Sequence, residues 1–118
     1  MKRVTILVPK GAILGSIEGP RMLLAGVNNY LAGMGQPPLF DIELVGVNRE
    51  TPIARGMYTI HSTRLLKEVT KTDLVIIPAI DGDLKTGLEE NKELVPWIAE
   101  QYRLGAEVAS LCVGAFVL

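Results

Sequence analysis

Two short apolar runs constrain the fold of this 118-residue chain more than any other feature. Val4 to Pro9 reads VTILVP, and Asp73 to Pro78 reads DLVIIP. Neither run alternates regularly between apolar and polar residues. A strand formed by either run must therefore be covered on both faces, as in the centre of a parallel sheet. We expect both runs to be buried parallel strands.

Helical patterns separate the predicted strands. Between Pro20 and about Met34, apolar residues recur at helical spacing, with Pro20 in the first turn and glycines at the end. This pattern predicts an apolar face of Leu23, Val27, Tyr30 or Leu31, and Met34. A second helix is predicted over Glu89 to Leu104, capped by Gly105 in a left-handed conformation. Its apolar face would comprise Leu94, Val95, Ile98, Ala99 and Tyr102.

The remaining segments complete an alternating order of strands and helices. Asp41 to Val47 and Glu107 to Leu111 are predicted strands, and Met57 to His61 is a short extended segment. Asn48 to Gly56 is predicted to be a loop, and Ser62 to cap a short helix that reaches Val69. This order predicts helices packed on a mostly parallel sheet.

Ligands of such sheets bind at the carboxyl ends of the strands. Glu18, the loop containing Asp81 and Gly82, and Cys112 all follow predicted carboxyl ends. A backbone N–H near Gly82 could serve as an oxyanion donor, although an ordinary turn explains this loop equally well. Glu18 could share a proton with a nearby thiol, or it could be a carboxylate that complements the helix dipole.

The segment from Ser110 to Gly114 has the spacing of a nucleophile elbow: a small residue, any residue, the nucleophile, any residue, glycine. Such a turn would aim the N–H groups of a following helix, including that of Val113, at the Cys112 sulfur and lower the pKa of its thiol. The alternative is a buried, inert cysteine. We expect His61 to be a surface or structural histidine and Trp97 to be a packing residue.

Charge and composition exclude several function classes. The net charge is −1, so the chain has no basic field to attract nucleic acid or an anionic membrane. One cysteine permits no intrachain disulfide, and this fits a cytoplasmic protein. A single histidine and the lack of metal-binding motifs give no reason to expect a metal or another cofactor.

Three segments resemble the ThiJ/PfpI superfamily, which has a class I glutamine-amidotransferase-like fold. They are VTILVPKGAILGSIEGPRMLL, DLVIIPAIDGD and VASLCVGAFVL, and the resemblance extends over residues 1–118. In detail they are most similar to the N-terminal domain of AraC-type, GlxA-like transcription regulators. The resemblance implies an α/β, flavodoxin-like three-layer sandwich with a cysteine elbow. It also implies a homodimer that senses a small-molecule effector and binds DNA only through a C-terminal helix-turn-helix domain.

The resemblance transfers only some site residues. Cys112 matches the nucleophile position, but Val113 stands where protease-like members have histidine. Ser16, rather than Glu18, aligns with the acidic residue that contacts the cysteine in several relatives. Ser16, Glu18, Asp81 and Cys112 are therefore the expected ligand-binding residues, and the catalytic set in this chain is incomplete.

Three functions are consistent with these observations, the third being a non-enzymatic binding or redox-sensing module with an accessible, easily oxidised Cys112 thiol. The first is the ligand-sensing domain of a transcription regulator, without enzymatic activity in this chain. The alternative is a cysteine-dependent amidase, isonitrile hydratase-like or glyoxalase-like enzyme that uses Cys112. Because the chain stops soon after the predicted elbow, we also expect residues 1–118 to be the N-terminal part of a longer α/β domain.

Overall fold

A computed structural model of the protein describes residues 1–111. Its strands are β1 (Lys2–Leu7), β2 (Phe40–Gly46), β3 (Glu50–Ile53), β4 (Tyr58–His61), β5 (Arg64–Leu65), β6 (Leu74–Ile77) and β7 (Glu107–Ser110). Its α-helices are α1 (Leu14–Gly33), α2 (Leu84–Glu90) and α3 (Leu94–Arg103), and two short 3₁₀ turns span Ala54–Gly56 and Leu66–Glu68.

Five strands form one parallel sheet in the order β5-β2-β1-β6-β7. β1 lies at its centre and pairs with β2 on one side and β6 on the other. The prediction that both apolar runs form buried parallel strands is confirmed. The chain passes from β1 to β2 on one side and later crosses from β5 to β6 on the other side of β1. The carboxyl edge between β1 and β6 is therefore the switch point of the sheet.

The sheet carries helices on both faces, as an α/β flavodoxin-like fold requires. On one face Ile6 and Val4 pack with Ile17 of α1 and with Ile53 and Ile60 of the separate β3–β4 hairpin. The opposite face buries a second cluster with α3, formed by Leu7, Val45, Val75, Ile77, Leu94 and Ile98. No helix within residues 1–111 is long and apolar enough to cross a membrane.

Helix α1 differs from the sequence prediction in its start. It begins at Leu14 rather than near Pro20, so Pro20 lies inside it. Pro20 has no N–H to donate to the carbonyl of Ser16, so a helix that contains Pro20 in its interior lacks one hydrogen bond. For this reason the sequence predicted that α1 starts near Pro20. Contacts with the sheet favour the earlier start, because Ile17 is buried against β1 and its neighbours.

The buried face of α1 also differs from the prediction. Leu23 and Tyr30 are 73% and 71% exposed, and Val27 and Met34 are exposed as well. The helix instead packs Ile17 and Leu24 against the sheet. Asn28 on this inner side hydrogen-bonds the start of β2, donating to Phe40 O and accepting from Phe40 N–H. Since apolar residues surround α1, spacing alone could not identify its inner face.

The second predicted helix is two helices. The chain breaks between α2 and α3 at Asn91, whose buried side chain is held by backbone groups. Leu94, Ile98 and Gln101 form the inner face of α3, whereas Val95 and Tyr102 are exposed. Gly105 has a φ of +102°, which confirms its left-handed position after the helix.

Two predictions between β2 and β6 were wrong. The segment over 48–56 contains β3, because Thr51 and Ile53 are buried when they pair with β4. The segment from Ser62 to Val69 forms β5 and a 3₁₀ turn in place of a capped helix. Hydrogen bonds to β2, such as Thr63 N–H to Leu44 O, hold this segment extended.

Candidate functional site

The loops that follow β1 and β6 meet at the switch point of the sheet. Ala12 and Ile80 form an antiparallel bridge between them. The Asp81 N–H donates to Gly11 O at 2.6 Å, and the Ile13 N–H donates to Ala79 O at 3.0 Å. These bonds close the two loops into one rigid edge.

Ser16 lies on this edge, in the first turn of α1. Its hydroxyl oxygen accepts a hydrogen bond from the Ala79 N–H at 2.8 Å. The structure therefore brings Ser16 to the loop that carries Asp81 and Gly82. Since the hydroxyl here acts as an acceptor, its own proton can still be donated to a ligand or a thiol.

Glu18 lies in the second turn of α1, not before the helix. Its carboxylate binds Arg21 through two hydrogen bonds, one of them 2.7 Å long from Arg21 Nε. The hydrogen bond from Arg21 lowers the pKa of Glu18 below its ordinary value. The carboxylate is thus paired on the helix surface, and proton sharing with Cys112 stays a prediction.

The loop after β6 exposes Asp81 and Gly82 to solvent. Gly82 has a φ of +88°, a conformation that L side chains rarely adopt. Next to it, Asp83 caps α2 by accepting from the N–H and the hydroxyl of Thr86, both at 2.9 Å. The Thr86 backbone N–H is the main cause of the lowered pKa of Asp83. A glycine-containing turn therefore presents Asp81 at the edge.

Cys112 and Val113, the predicted nucleophile and oxyanion donor, lie outside the described residues. The two residues before them pair with β6. Ser110 is in register with Ile77, and the Leu111 N–H donates to Ile77 O at 2.9 Å. Parallel pairing therefore continues to the residue before Cys112. Leu111 packs against the apolar cluster that Val4 and Ile6 form with Ile17 of α1. The chain enters the elbow segment beside the end of β6.

His61 and Trp97 lie away from this edge. The His61 side chain is 74% exposed, with Nδ1 3.6 Å from Glu50 Oε1 on the neighbouring strand. Trp97 packs against the α3-side core and donates from Nε1 to Val69 O at 3.1 Å. These positions fit the surface and packing roles expected for them. Within residues 1–111, no group of three or more His, Cys, Asp or Glu side chains could hold a metal ion.

Sequence reasoning missed a cleft elsewhere on the carboxyl edge. We call it the hairpin cleft; it has a volume of about 270 Å³ and is lined by Lys10, Gly11, Asn48, residues 50–52 and Glu90. Asn91 supports the base of the cleft, because its side chain accepts from the Lys10 N–H and donates to the Lys10 carbonyl oxygen. These residues come from four separate segments, and no motif links them in the sequence.

Comparison with solved structures places this geometry among known proteins. A Vibrio parahaemolyticus protein, solved as a proposed transcriptional regulator, superposes with a TM-score of 0.80 and 25% identity over 98% of this chain. A ThiJ/PfpI family protein from Pseudomonas syringae gives a TM-score of 0.76 with 15% identity over 99% of this chain. The chain has the ThiJ/PfpI and DJ-1 superfamily fold.

Oxidised DJ-1 from Toxoplasma gondii shares the superfamily fold, with a TM-score of 0.67 and 14% identity over 100% of this chain. The chain spans 59% of the Vibrio protein, 44% of the Pseudomonas protein and 59% of the Toxoplasma protein. No protein-family model and no curated protein sequence matches it. The ThiJ/PfpI resemblance of the sequence is thus confirmed at the level of the superfamily fold.

Proposed function

We propose that this chain is the ligand-sensing part of a cytoplasmic transcription regulator of the AraC-type, GlxA-like group. The observation that carries the proposal is the match with the Vibrio protein, which combines a TM-score of 0.80 with 25% identity. That protein is solved as a proposed transcriptional regulator, and 98% of the present chain aligns with it. The GPRMLL and CVGAFVL segments give the same assignment from the sequence.

The charge of the chain supports the assignment of effector binding and DNA binding to two different domains. The chain has a net charge of −1, whereas DNA-binding surfaces concentrate lysine and arginine. DNA contact is therefore assigned to a C-terminal helix-turn-helix domain outside this chain. A small-molecule effector would bind at the carboxyl edge, against the rigid loops that hold Ser16, Asp81 and Gly82.

The outer face of α1 supports a homodimer. Leu23, Val27, Tyr30 and Met34 form an exposed apolar stripe along one side of the helix. The charged residues of α1 are Glu18 and Arg21, which bind each other and leave the stripe uncharged. A two-fold axis across this stripe would bury the same side chains of both copies.

The experiment that tests this proposal starts from the coding sequence beyond Leu118. We expect it to encode a helix-turn-helix region. The purified full-length protein should retard DNA from its own upstream region in the presence of excess competitor DNA. A reading frame that closes after the α/β domain, or retardation that competitor DNA abolishes equally for all fragments, would overturn the proposal.

A cysteine-dependent enzyme is the second candidate. It is favoured by two bonds at the end of β6: the Leu111 N–H donates to Ile77 O, and the Ala79 N–H two residues further along donates to the Ser16 hydroxyl. Amide, isonitrile and glyoxal substrates test this candidate with the wild-type protein and the Cys112→Ser variant. Turnover that the substitution abolishes would establish it, and equal rates in both proteins would exclude it.

A further inference from the structure

The hairpin cleft involves different side chains from Ser16, Asp81 and Cys112, the expected ligand-binding residues. It lies between the β3–β4 hairpin and the end of α2, above the carboxyl ends of β1 and β2. A smaller cavity of about 10 Å³, the size of one water molecule, adjoins it. The two cavities share Lys10, Asn48, Thr51 and Glu90. Thr51 is only 5% exposed and contributes a buried polar residue to both cavities.

The charges of the hairpin cleft have opposite signs and do not neutralise one another. Lys10 is the basic residue of the lining, and Glu50 and Glu90 are the acidic ones. Within residues 1–111, Lys10 and Glu90 form no ion pair, and Glu50 pairs only with the exposed His61. The cleft therefore presents one cationic group and two carboxylates that a ligand can contact.

The base of the cleft is rigid. Asn91 is 5% exposed, and its Oδ1 accepts from the Lys10 N–H at 2.7 Å. Its Nδ2 donates to Lys10 O at 2.9 Å and to Gly87 O at 2.8 Å. These three bonds fix the backbone of Lys10 relative to the end of α2. The backbone of this part of the site is therefore ordered before a ligand binds, and only the side chains remain to be fixed.

We propose that the hairpin cleft binds a small zwitterion with one ammonium and one carboxylate group, of which a free α-amino acid is the simplest. Lys10 would pair with the carboxylate, and Glu90 and Glu50 with the ammonium group. A phosphate or other plain anion would meet the two carboxylates, and a plain cation would meet Lys10. The volume of about 270 Å³ lies just below the usual range for ligand pockets, which restricts the ligand to a small molecule.

This site concerns binding alone and stands whether or not the protein regulates transcription. The test is calorimetric titration of the full-length protein with the common L-α-amino acids. Each is compared with its N-acetyl derivative, which lacks the ammonium group, and its amino alcohol, which lacks the carboxylate. We expect at least one amino acid to bind, and both derivatives to bind roughly tenfold more weakly or worse.

Variants assign the two charges. Lys10→Met and Glu90→Gln should each weaken binding by roughly tenfold or more. Lys2→Met, at the opposite end of β1, and Glu89→Gln, next to Glu90 but outside the lining, should leave binding unchanged. Backbone NMR of the wild-type protein gives a readout that does not depend on any variant, with ligand-induced shifts centred on Asn48, Thr51 and Glu90.

Three results would overturn the proposal. One is the absence of binding by any amino acid at millimolar concentration. Another is equal affinity for an amino acid and its two derivatives, because the two charges would then not be recognised. The third is binding that survives both Lys10→Met and Glu90→Gln, with shifts centred away from the hairpin cleft. Each result leaves DNA binding by the full-length protein to be decided separately.

Discussion

The hydroxyl of Ser16 accepts the backbone N–H of Ala79 and so ties the first turn of α1 to the end of β6. Ala79 is buried, so Ser16→Ala would leave its N–H without this partner. We expect the free energy of unfolding to fall by about 1–3 kcal/mol. Ser16→Thr keeps the hydroxyl and should lose much less. Urea denaturation of the three proteins provides the measurement, and equal midpoints for Ser16→Ala and wild type would contradict the role given to this bond.

Gly46 and Ser62 are predicted to be energetically coupled. A Cβ at Gly46 would lie 2.6 Å from Ser62 Oγ and 3.2 Å from Asn48 O. Gly46→Ala should therefore cost about 1–3 kcal/mol of unfolding free energy through overpacking.

The Ser62→Ala substitution provides the matched test of that coupling. Ser62 Oγ is buried without a hydrogen-bond partner in the described chain, so removing it should be nearly neutral. The double variant should regain part of the loss, with Asn48 O preventing full recovery. Additive effects in a double-mutant cycle would show that the two positions do not contact each other as described.

The ion pair of Glu18 and Arg21 predicts a small dependence of stability on pH. The bond from Arg21 lowers the pKa of Glu18 below 4.5, so the folded state favours the ionised carboxylate. The stabilisation is therefore present above about pH 4.5 and is lost as the pH falls through the lower folded-state pKa. Both side chains are more than one-third exposed, so screening limits the contribution to about 0.5 kcal/mol.

Glu18→Gln tests this sign directly. The variant should be slightly less stable than wild type at neutral pH and equally stable well below the folded-state pKa of Glu18. Arg21→Gln should show the same loss at neutral pH. A deficit that persists at low pH in Glu18→Gln would instead indicate a protonated Glu18 with another partner, as the proton-sharing hypothesis requires.

The apolar stripe of α1 predicts a self-association that one side chain can break. Tyr30 on α1 and Tyr102 on α3 are both 71% exposed, so they form a matched pair. Tyr30→Glu should weaken the dimer by about 2 kcal/mol or more, whereas Tyr102→Glu should not change it. Sedimentation equilibrium measures both. A wild-type protein that remains monomeric at high concentration would contradict the interface.

The strands were predictable where burial on both faces left a simple pattern. β1 and β6 are unbroken apolar runs, and both lie where the sequence indicated. The inner face of α1 was not predictable, because apolar residues surround the helix and only the sheet selects Ile17 and Leu24. The break before α3 was also hidden, since the reason for it is the bonding of Asn91 to Lys10, 81 residues away.

The candidate site shows the same division. Glycine and polar residues after predicted strands indicated the edge on which Ser16, Asp81 and Gly82 lie. The hydrogen bond between Ser16 and Ala79 could not be predicted in this way, because it joins residues 63 positions apart in the sequence. The hairpin cleft was missed because Lys10, Thr51 and Glu90 acquire a common function only when the hairpin folds beside α2.

Chromatin immunoprecipitation with sequencing tests the proposed regulatory role most directly. The tagged protein is expressed from its own locus and compared with an untagged strain and with a variant truncated after the α/β domain. We expect discrete peaks upstream of a few operons that vanish in the truncated variant. A profile indistinguishable from that of the untagged strain would contradict a role in transcription.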